Sequence, residues 1–323
     1  MKKIYQLIAG VIIVSLSFAS HQANAAYSQM ISFGDSTSDT GNRYIASNCP
    51  GVTCQVPSPP YWQGRETDGP VYNEILASNL GLAAPTPSLS GGSNYSISGA
   101  RTLLDTSWLG VSKPSVQSQV NQYLSDNNGV ADPNAIYTIS SGASDITDVV
   151  NGDQSVSDLQ SAAAGYASIA NQLVAAGANS VMLINVGDVG KAPIAVGNEF
   201  QASFLTAISF NGLIEPGIAG VPEIFMFDAF SFHNQVDANP SAYGITNARG
   251  DCQADILAGL TSDCSSYFFM DIWHPSSKAH SLFAEQMTPI ALAMAPATVV
   301  PVPAALPLFA SALVGLGLFK RKF

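Results

Sequence analysis

Residues 30–42 read MISFGDSTSDTGN, a short apolar run followed by a glycine and a cluster of small polar residues. The run from Met30 to Phe33 predicts a buried β-strand. Ser36 then lies where a strand passes into a loop or helix, at the carboxyl edge of a sheet where α/β proteins build their sites. Gly-Asp-Ser is also ordinary turn chemistry, so this stretch alone does not separate a site from a turn.

A second stretch, residues 271–275 (DIWHP), offers the partners that a reactive serine requires. A serine hydroxyl needs a base to take its proton, and the base needs an acceptor that fixes its tautomer. His274 has the carboxylate of Asp271 three residues away, whereas His233 and His280 are the other candidate bases outside the N-terminal segment. The alternative is a surface-loop Asp with a capping His. We favour Ser36, His274 and Asp271 as nucleophile, base and orienting acid.

Four separated blocks then carry a resemblance to a known family. They are residues 33–36 (FGDS), 64–72 (GRETDGPVY), 94–100 (NYSISGA) and 271–275. In this order the chain resembles the GDSL lipases and esterases, also called SGNH hydrolases, and most of all their secreted lecithinase/haemolysin-type and plant-type branch. One block departs from the pattern, because residues 142–145 (GASD) stand where the family has Gly-x-Asn-Asp.

The resemblance implies the roles of the remaining site residues and the fold. The N–H groups of Ser36 and Gly99 would form an oxyanion hole, with Ser144 as a side-chain donor in place of the family's Asn. The expected fold is a three-layer α/β/α domain, flavodoxin-like, with a parallel sheet of about five strands. No metal or organic cofactor is implied. The motifs of α/β-hydrolases, P-loop proteins and His-Glu-x-x-His metalloproteases are absent from the sequence.

Hydrophobic periodicity supports an alternating α/β arrangement in one domain, residues 26–297. Strands are predicted at 135–140, 180–186 and 223–228, and helices at 71–82, 115–124, 155–176, 200–214 and 277–295. Strands that alternate with helices indicate a parallel sheet covered on both faces.

The two ends of the chain are predicted to direct export. Residues 1–25 have a basic start, an apolar stretch and a small-residue cleavage site at 23–25, as in a secretory signal peptide. Residues 298–323 contain Val-Pro-Val-Pro, a short apolar run and a basic end, similar to PEP-CTERM-type sorting tails. A plain C-terminal membrane anchor is the alternative, although the apolar run is short for a spanning helix. The resemblance implies export machinery and an exosortase-type protease as partners, in a Gram-negative bacterium.

Charge and cysteine content limit the kinds of partner and the kinds of cysteine site that the protein can have. Five of the 12 Lys and Arg residues lie in the two end segments, whereas all 23 Asp and Glu residues lie between them. An acidic body without a basic patch disfavours a nucleic-acid partner. The Cys residues form two local groups, Cys49 with Cys54 and Cys252 with Cys264, which predicts two short-loop disulfides among three possible connectivities. No zinc-site spacing occurs.

The sequence therefore predicts an exported hydrolase of carboxylic esters that forms an acyl-enzyme on Ser36. Two alternatives stay open: an acyltransferase to an alcohol or sterol, and a catalytically silent surface or biofilm-matrix protein on the same fold. The ester itself is not specified, since small acyl esters, phospholipids and acetylated polysaccharides all fit. The oligomeric state is not indicated either.

Overall fold

The computed structural model describes residues 27–47, 61–108 and 110–295. In chain order its strands are β1 (Met30–Phe33), β2 (Thr106–Trp108), β3 (Val111–Lys113), β4 (Ile136–Ser140), β5 (Val181–Ile184), β6 (Ile224–Phe227), β7 (Asn247–Asp251) and β8 (Tyr267–Phe269). Its α-helices are α1 (Asn42–Ala46), α2 (Tyr72–Asn79), α3 (Val116–Asp126), α4 (Ala143–Asn151), α5 (Val156–Ala175), α6 (Glu199–Phe204), α7 (Gly212–Ile218), α8 (Ala229–Ala238), α9 (Cys252–Leu257) and α10 (Ser277–Met294).

The central sheet has the order β1-β4-β5-β6, and every neighbouring pair is parallel. Phe33 lies opposite Ile139, and Ile139 lies opposite Leu183. Because all four strands run the same way, their carboxyl ends meet at one edge, and Ser36 lies just beyond that edge. The predicted parallel α/β sheet is confirmed, and β7 with β8 and β2 with β3 form two small separate ladders.

The expected count of about five strands needs a correction within the described residues. Four regular strands form the sheet, and an irregular segment, residues 93–97, occupies the fifth position beside β1. There the N–H of Tyr95 donates to the carbonyl of Ser32 at 2.8 Å, and the N–H of Ile97 donates to that of Gly34 at 3.1 Å. The N–H of Gly34 donates to the side chain of Gln119 at 2.8 Å and not to this segment, so the ladder is interrupted there.

Apolar side chains cover both faces of the sheet and make three layers. One face packs against α3, α4, α5 and α7, through residues that include Phe33, Ile139, Leu159, Tyr166 and Ile214. The other packs against α2, α8 and α10, through residues that include Met30, Ile136, Leu76, Phe232 and Met287. Successive strand residues point to opposite faces, so strands buried on both sides are mostly apolar along their whole length. The buried hydroxyls of Ser32 and Thr138 are satisfied by a hydrogen bond to each other at 2.9 Å.

The longest predicted helix, residues 155–176, is observed as α5 with a capped start. Ser155 Oγ accepts the N–H of Asp158 at 3.2 Å, and the carboxylate of Asp158 accepts the N–H of Ser155 at 3.0 Å. Gly177 follows the helix with φ of 112°, a conformation that favours glycine at a helix end. Val156, in the first turn of α5, is 44% exposed, whereas Leu159 and Tyr166 further along the helix are fully buried.

The predicted helix at 200–214 is longer and less regular than expected. Helix α6 passes into a π-helical segment, Leu205–Asn211, and then into α7. The side chain of Asn211 bonds both the N–H of Val186 at 3.0 Å and its carbonyl at 2.7 Å, beside the end of β5. π-helical turns are rare in proteins and are often found at functional sites.

The structure describes only part of the residues on which the disulfide and export predictions depend. Cys252 and Cys264 are joined by a disulfide, and Cys49 and Cys54 lie outside the described residues. The predicted signal peptide and sorting tail also lie outside them. Across the three described ranges, no helix combines the length and the apolar character that crossing a bilayer requires.

Candidate active site

Ser36 lies in a tight turn immediately after β1, partly buried. The carboxylate of Asp35 accepts the N–H of Thr37 at 3.0 Å and its hydroxyl at 2.8 Å, which closes the turn around Ser36. In the described parts of the chain Ser36 Oγ makes no hydrogen bond, so its hydroxyl is free for an incoming group.

The start of this turn requires a glycine because the next strand approaches so closely. A Cβ on Gly34 would lie 2.4 Å from Ser140 Oγ and 2.7 Å from its carbonyl oxygen. Gln119, buried on α3, binds both backbone groups of Gly34, accepting its N–H at 2.8 Å and donating to its carbonyl at 2.9 Å. The strand end is therefore satisfied although no regular strand continues beside it.

Asp39 links the serine turn to the segment that carries Gly99. One of its carboxylate oxygens accepts the N–H groups of Gly41 and Asn42, at 2.7 and 2.6 Å, and the other accepts that of Ser98 at 2.9 Å. Burial raises the pKa of Asp39 to about 6, although these N–H groups favour the charged form. Asp39 thus positions Gly99 relative to Ser36.

His274 and Asp271 lie in the loop between β8 and α10 and form a close pair. Nδ1 of His274 is 2.7 Å from Oδ2 of Asp271. The other oxygen of Asp271 accepts the N–H groups of Trp273 and His274 at 2.6 and 2.7 Å, and the hydroxyl of Tyr61 donates to Oδ2 at 2.5 Å. Burial by itself would raise the pKa of Asp271, but the His274 charge and these donors hold it at about 2.

The second ring nitrogen of His274 contacts a second carboxylate. Nε2 lies 2.9 Å from Oε2 of Glu66, and the hydroxyl of Ser98 donates to the same oxygen at 2.5 Å. Burial would lower the pKa of His274, yet the two carboxylates of Glu66 and Asp271 outweigh it and raise that pKa well above 6.5. In this structure His274 therefore meets Glu66, not Ser36.

The predicted site residues converge on one cavity of about 370 Å³, the serine cavity. Ser36, Gly99, Ser144 and His274 all line it, together with Glu66. Asp271 lies behind His274, where an orienting acid is expected. Within the described residues the backbone N–H groups of Ser36 and Gly99 have no acceptor, so both can serve an oxyanion.

Lys113, at the end of β3, adds a positive charge to the serine cavity. A Cβ on Gly99 would lie 2.9 Å from Lys113 Nζ, so the ammonium lies against the face of that glycine. Burial lowers the pKa of Lys113, and the charges of Arg43 and Arg101 lower it further. A site in an acidic protein thus carries local positive charge where an oxyanion would develop.

A second cavity, of about 130 Å³, adjoins the first and is mostly apolar. We call it the apolar cavity; its lining includes Ile184, Val186, Phe268, Phe269, Phe283 and Met287. The residues that line both cavities are Asp35, Thr37, Ala143, Thr147 and Trp273, which include both chain neighbours of Ser36. An apolar group attached at Ser36 would therefore find a buried space next to it.

The other two candidate bases lie at the apolar cavity in structural roles. His233 stacks on Phe268 with ring centroids 4.3 Å apart, and burial lowers its pKa to about 4. His280 accepts the N–H of Tyr72 at 3.2 Å, and burial lowers its pKa to about 3. Neither ring has a carboxylate within ion-pair distance among the described residues.

Sequence reasoning missed three residues of this site, Tyr61, Glu66 and Lys113. Glu66 stands in the 64–72 block, and a carboxylate inside a block that resembles the family's was the available signal. Tyr61 and Lys113 carry no sequence signal, because long-range folding alone brings them to Asp271 and Gly99. No group of three or more His, Cys, Asp or Glu side chains within the described ranges is arranged to hold a metal ion.

Comparison with known proteins adds relatives of several activities. Lipase 1 of Photorhabdus luminescens is 30% identical over 60% of this chain and 27% of that protein. The thermolabile hemolysin of Vibrio parahaemolyticus is 25% identical over 80% of this chain and 62% of that protein. The phosphatidylcholine-sterol acyltransferase of Aeromonas hydrophila is 25% identical over 78% of this chain and 72% of that protein. The chain thus spans less than two thirds of the first two relatives.

A family model covers most of the chain as well. The model described as GDSL-like Lipase/Acylhydrolase matches residues 30–287, a span that begins at β1 and ends within α10. The match includes the serine turn, the 64–72 block, Gly99 and the Asp271–His274 loop. The chain belongs to the GDSL-like lipase/acylhydrolase family.

Proposed function

We propose that this protein hydrolyses carboxylic esters through an acyl-enzyme on Ser36. The observation that carries the proposal is the serine cavity itself. A serine hydroxyl and two N–H groups that have no hydrogen-bond partner among the described residues border one space with a carboxylate-bound imidazole. Family membership supports the same chemistry.

In the proposed reaction His274 turns Nε2 towards Ser36 and takes its hydroxyl proton while Oγ attacks the ester carbonyl. The tetrahedral intermediate collapses, and His274 gives the proton to the leaving alcohol. Water then repeats the sequence and releases the acid. Asp271, held by four donors, keeps Nδ1 protonated so that Nε2 is the basic nitrogen.

The oxyanion would be stabilised by the N–H groups of Ser36 and Gly99, with Ser144 as the proposed third donor. Ser144 lines the serine cavity from the first turn of α4. A serine hydroxyl is shorter than an Asn amide and can rotate, so its contribution is weaker. Lys113, against Gly99, would add favourable charge at the same place.

The apolar cavity supports esters whose acyl group is a hydrocarbon chain. It begins at the chain neighbours of Ser36, so a chain bonded to Oγ can enter it without crossing the protein surface. His233 and His280 are neutral there because burial lowers both pKa values, so they add no charge that would repel a hydrocarbon. Transfer of the acyl chain from water to this space is favourable by about 0.8 kcal/mol per CH₂.

A panel of p-nitrophenyl esters from acetate to palmitate tests the proposal. We expect turnover that is abolished in Ser36→Ala and a chain-length optimum above acetate. A fluorophosphonate probe should label Ser36 and no other serine. Absence of turnover on the whole panel, together with labelling that persists in Ser36→Ala, would refute the assignment.

Acyl transfer to an alcohol or sterol is the second candidate, because one relative is a phosphatidylcholine-sterol acyltransferase. Both reactions use the same acyl-enzyme and differ only in the acceptor. Assays with an added alcohol or sterol distinguish them: hydrolysis gives free acid alone, whereas transfer gives a new ester. The silent-protein alternative fails if either product forms.

For the ends of the chain we propose a signal peptide, residues 1–25, the hydrolase domain, residues 26–297, and a sorting tail, residues 298–323. The protein would then be exported and the tail removed by an exosortase-type protease. The basis is the sequence pattern of both ends. Intact-mass analysis of exported protein should give a form that begins near Ala26 and lacks residues 320–323. A mass that retains them identifies the tail as an anchor.

A further inference from the structure

The carboxylates of Asp271 and Glu66 contact the two ring nitrogens of His274, and these contacts determine where the ring carries protons. A carboxylate only accepts hydrogen bonds, so the contact of Nδ1 with Asp271 at 2.7 Å needs a proton on Nδ1. The contact of Nε2 with Glu66 at 2.9 Å needs one on Nε2. With both carboxylates ionised, His274 is therefore the imidazolium, which cannot take the proton of Ser36.

Glu66 is held in this position by its own surroundings. Arg65 pairs with Glu74 at 2.6 Å, and Asp68 accepts the N–H of Ser277 at 2.7 Å, so the loop is fixed on both sides of Glu66. Ser98, the neighbour of Gly99, donates to the same carboxylate oxygen that meets His274. The carboxylate of Glu66 therefore connects the loop before α2 to His274 and, through Ser98, to the segment that carries Gly99.

We propose that Glu66 competes with Ser36 for His274: its carboxylate holds Nε2 in the free protein, and Ser36 becomes a nucleophile only after that contact breaks. Breaking it releases the Nε2 proton to water and leaves a neutral imidazole, whose bare Nε2 can accept the Ser36 proton. This inference rests on the proposed ester chemistry and adds a residue that limits it. Glu66 acts through His274 and is a positioning residue.

The contact between Glu66 and His274 depends on the protonation states of both groups and on the charges around them. Glu66 needs to be ionised and His274 protonated, and each charge favours the other. The groups that face this pair from neighbouring elements are Asp271 in the same loop as His274, Tyr61 in the Glu66 loop, Asp35 in the serine turn, His280 on α10, Arg43 on α1 and Lys113 on β3. Removing the Glu66 charge leaves Asp271 as the carboxylate in contact with the ring.

The sign of the effect on activity is fixed by this arrangement. The pH profile of kcat/KM reports the free enzyme, where Glu66 raises the pKa of His274, so activity should rise with pH through that raised value. An opposite charge in contact shifts a pKa by roughly 1–3 units. Glu66→Gln and Glu66→Ala should therefore move the acid limb of kcat/KM to lower pH by about one unit or more.

The kcat profile gives an internal check. It reports the enzyme–substrate complex, in which the contact is already broken, so its acid limb should lie below that of kcat/KM in the parent protein. In Glu66→Gln the two limbs should nearly coincide. Glu66→Asp, which keeps the charge, should shift less than Glu66→Gln, and Glu285→Gln, an exposed carboxylate on α10, should shift neither limb.

Two readouts separate this inference from the proposed function. NMR titration of the His274 ring needs no substrate and should show a lower pKa in Glu66→Gln than in the parent, whatever the enzyme hydrolyses. Labelling of Ser36 by a fluorophosphonate at pH 6 should be faster in Glu66→Gln by about tenfold or more. Equal titration and equal pH profiles in parent and variant would overturn the inference. So would a loss of turnover at every pH with no shift of the acid limb, since Glu66 would then support the base.

Discussion

The two carboxylates that meet His274 differ in how the protein holds them. Asp271 receives two backbone N–H groups of its own loop, the Tyr61 hydroxyl and Nδ1 of His274. Glu66 receives Nε2 and the hydroxyl of Ser98. Asp271 is also three residues from His274, whereas Glu66 comes from the loop before α2. The Asp271 contact is therefore built into one loop, and the Glu66 contact depends on how two distant loops meet.

This difference indicates opposite contributions to one reaction. A carboxylate on Nδ1 leaves Nε2 available and makes it more basic, whereas a carboxylate on Nε2 occupies the nitrogen that has to act. The same attraction thus assists the base from one side and delays it from the other. Mutations on the two sides should differ in the sign of their effect near neutral pH, and the following predictions test that contrast.

The largest effect is expected for Ser36→Ala. Loss of the nucleophile in a triad enzyme lowers kcat by about 10⁶-fold. Because Ser36 makes no hydrogen bond to His274 in this structure, the His274 titration should be unchanged. Ester turnover and NMR titration of the same sample check both statements. A lowered His274 pKa in Ser36→Ala would mean that Ser36 shares the Nε2 contact, which would weaken the contrast.

Asp271→Asn should follow, with a fall in kcat of about 10⁴-fold. The amide can hold His274 with the proton on Nε2, the wrong tautomer, and it no longer stabilises the imidazolium. Glu66→Gln at the same pH should instead retain or gain activity. Assays of both variants at pH 7 give the comparison directly. A loss below tenfold in Asp271→Asn would contradict its role as orienting acid.

Ser144→Ala tests a proposed oxyanion donor, on the first turn of α4, that contacts neither Asp271 nor Glu66. A full side-chain donor is worth about 3–4 kcal/mol, and a rotatable serine hydroxyl should supply part of that. We expect kcat to fall by about ten- to a hundredfold with KM little changed, since the contact forms in the transition state. The acid limb should not move. Ser144→Asn should keep or raise turnover, whereas full activity in Ser144→Ala removes this residue from the site.

The smallest effect is expected for Tyr61→Phe, which removes one of the four donors to Asp271. A hydrogen bond to a charged group contributes about 1.5–3 kcal/mol, but the remaining donors limit the loss to about tenfold in kcat. The pKa of Asp271 should rise from about 2 because a donor to its charged form is gone. Kinetics and a carboxyl titration by NMR measure both. A loss as large as that of Asp271→Asn would show that the Asp271 side depends on distant contacts too.

The local patterns of the sequence determined the strands, the main helices and the Asp271–His274 pair. Met30–Phe33, Ile136–Ser140 and Val181–Ile184 are buried along their whole length and mostly apolar, as is typical of strands covered on both faces. Ser155 caps α5 through a hydrogen bond to a residue three positions away, so the start of this helix could also be predicted from the sequence. Asp271 and His274 lie three residues apart, and their contact is formed by one loop. Each of these features depends on residues close together along the chain.

Other features were decided only by the tertiary structure. The fifth sheet position is held by an irregular segment, residues 93–97, because the N–H of Gly34 bonds Gln119 and not that segment, which no periodicity reveals. The π-helical segment at 205–211 and the pairing of Asn211 with Val186 depend on how a helix meets a sheet edge. The contact of Tyr61 with Asp271 and that of Lys113 with Gly99 likewise join distant parts of the chain.

For Glu66, the sequence determines one property and the tertiary structure another. Its charge and its place in the 64–72 block are properties of the sequence, and they fix its chemistry as an acceptor. Its partner is a property of the fold, because Nε2 of His274 reaches it only when the loop after β8 packs against the loop before α2. A hydrogen bond requires two atoms within about 3 Å, and sequence patterns fix such distances only between near neighbours. The sequence therefore specified the groups of this site, and the tertiary structure decided which of them meet.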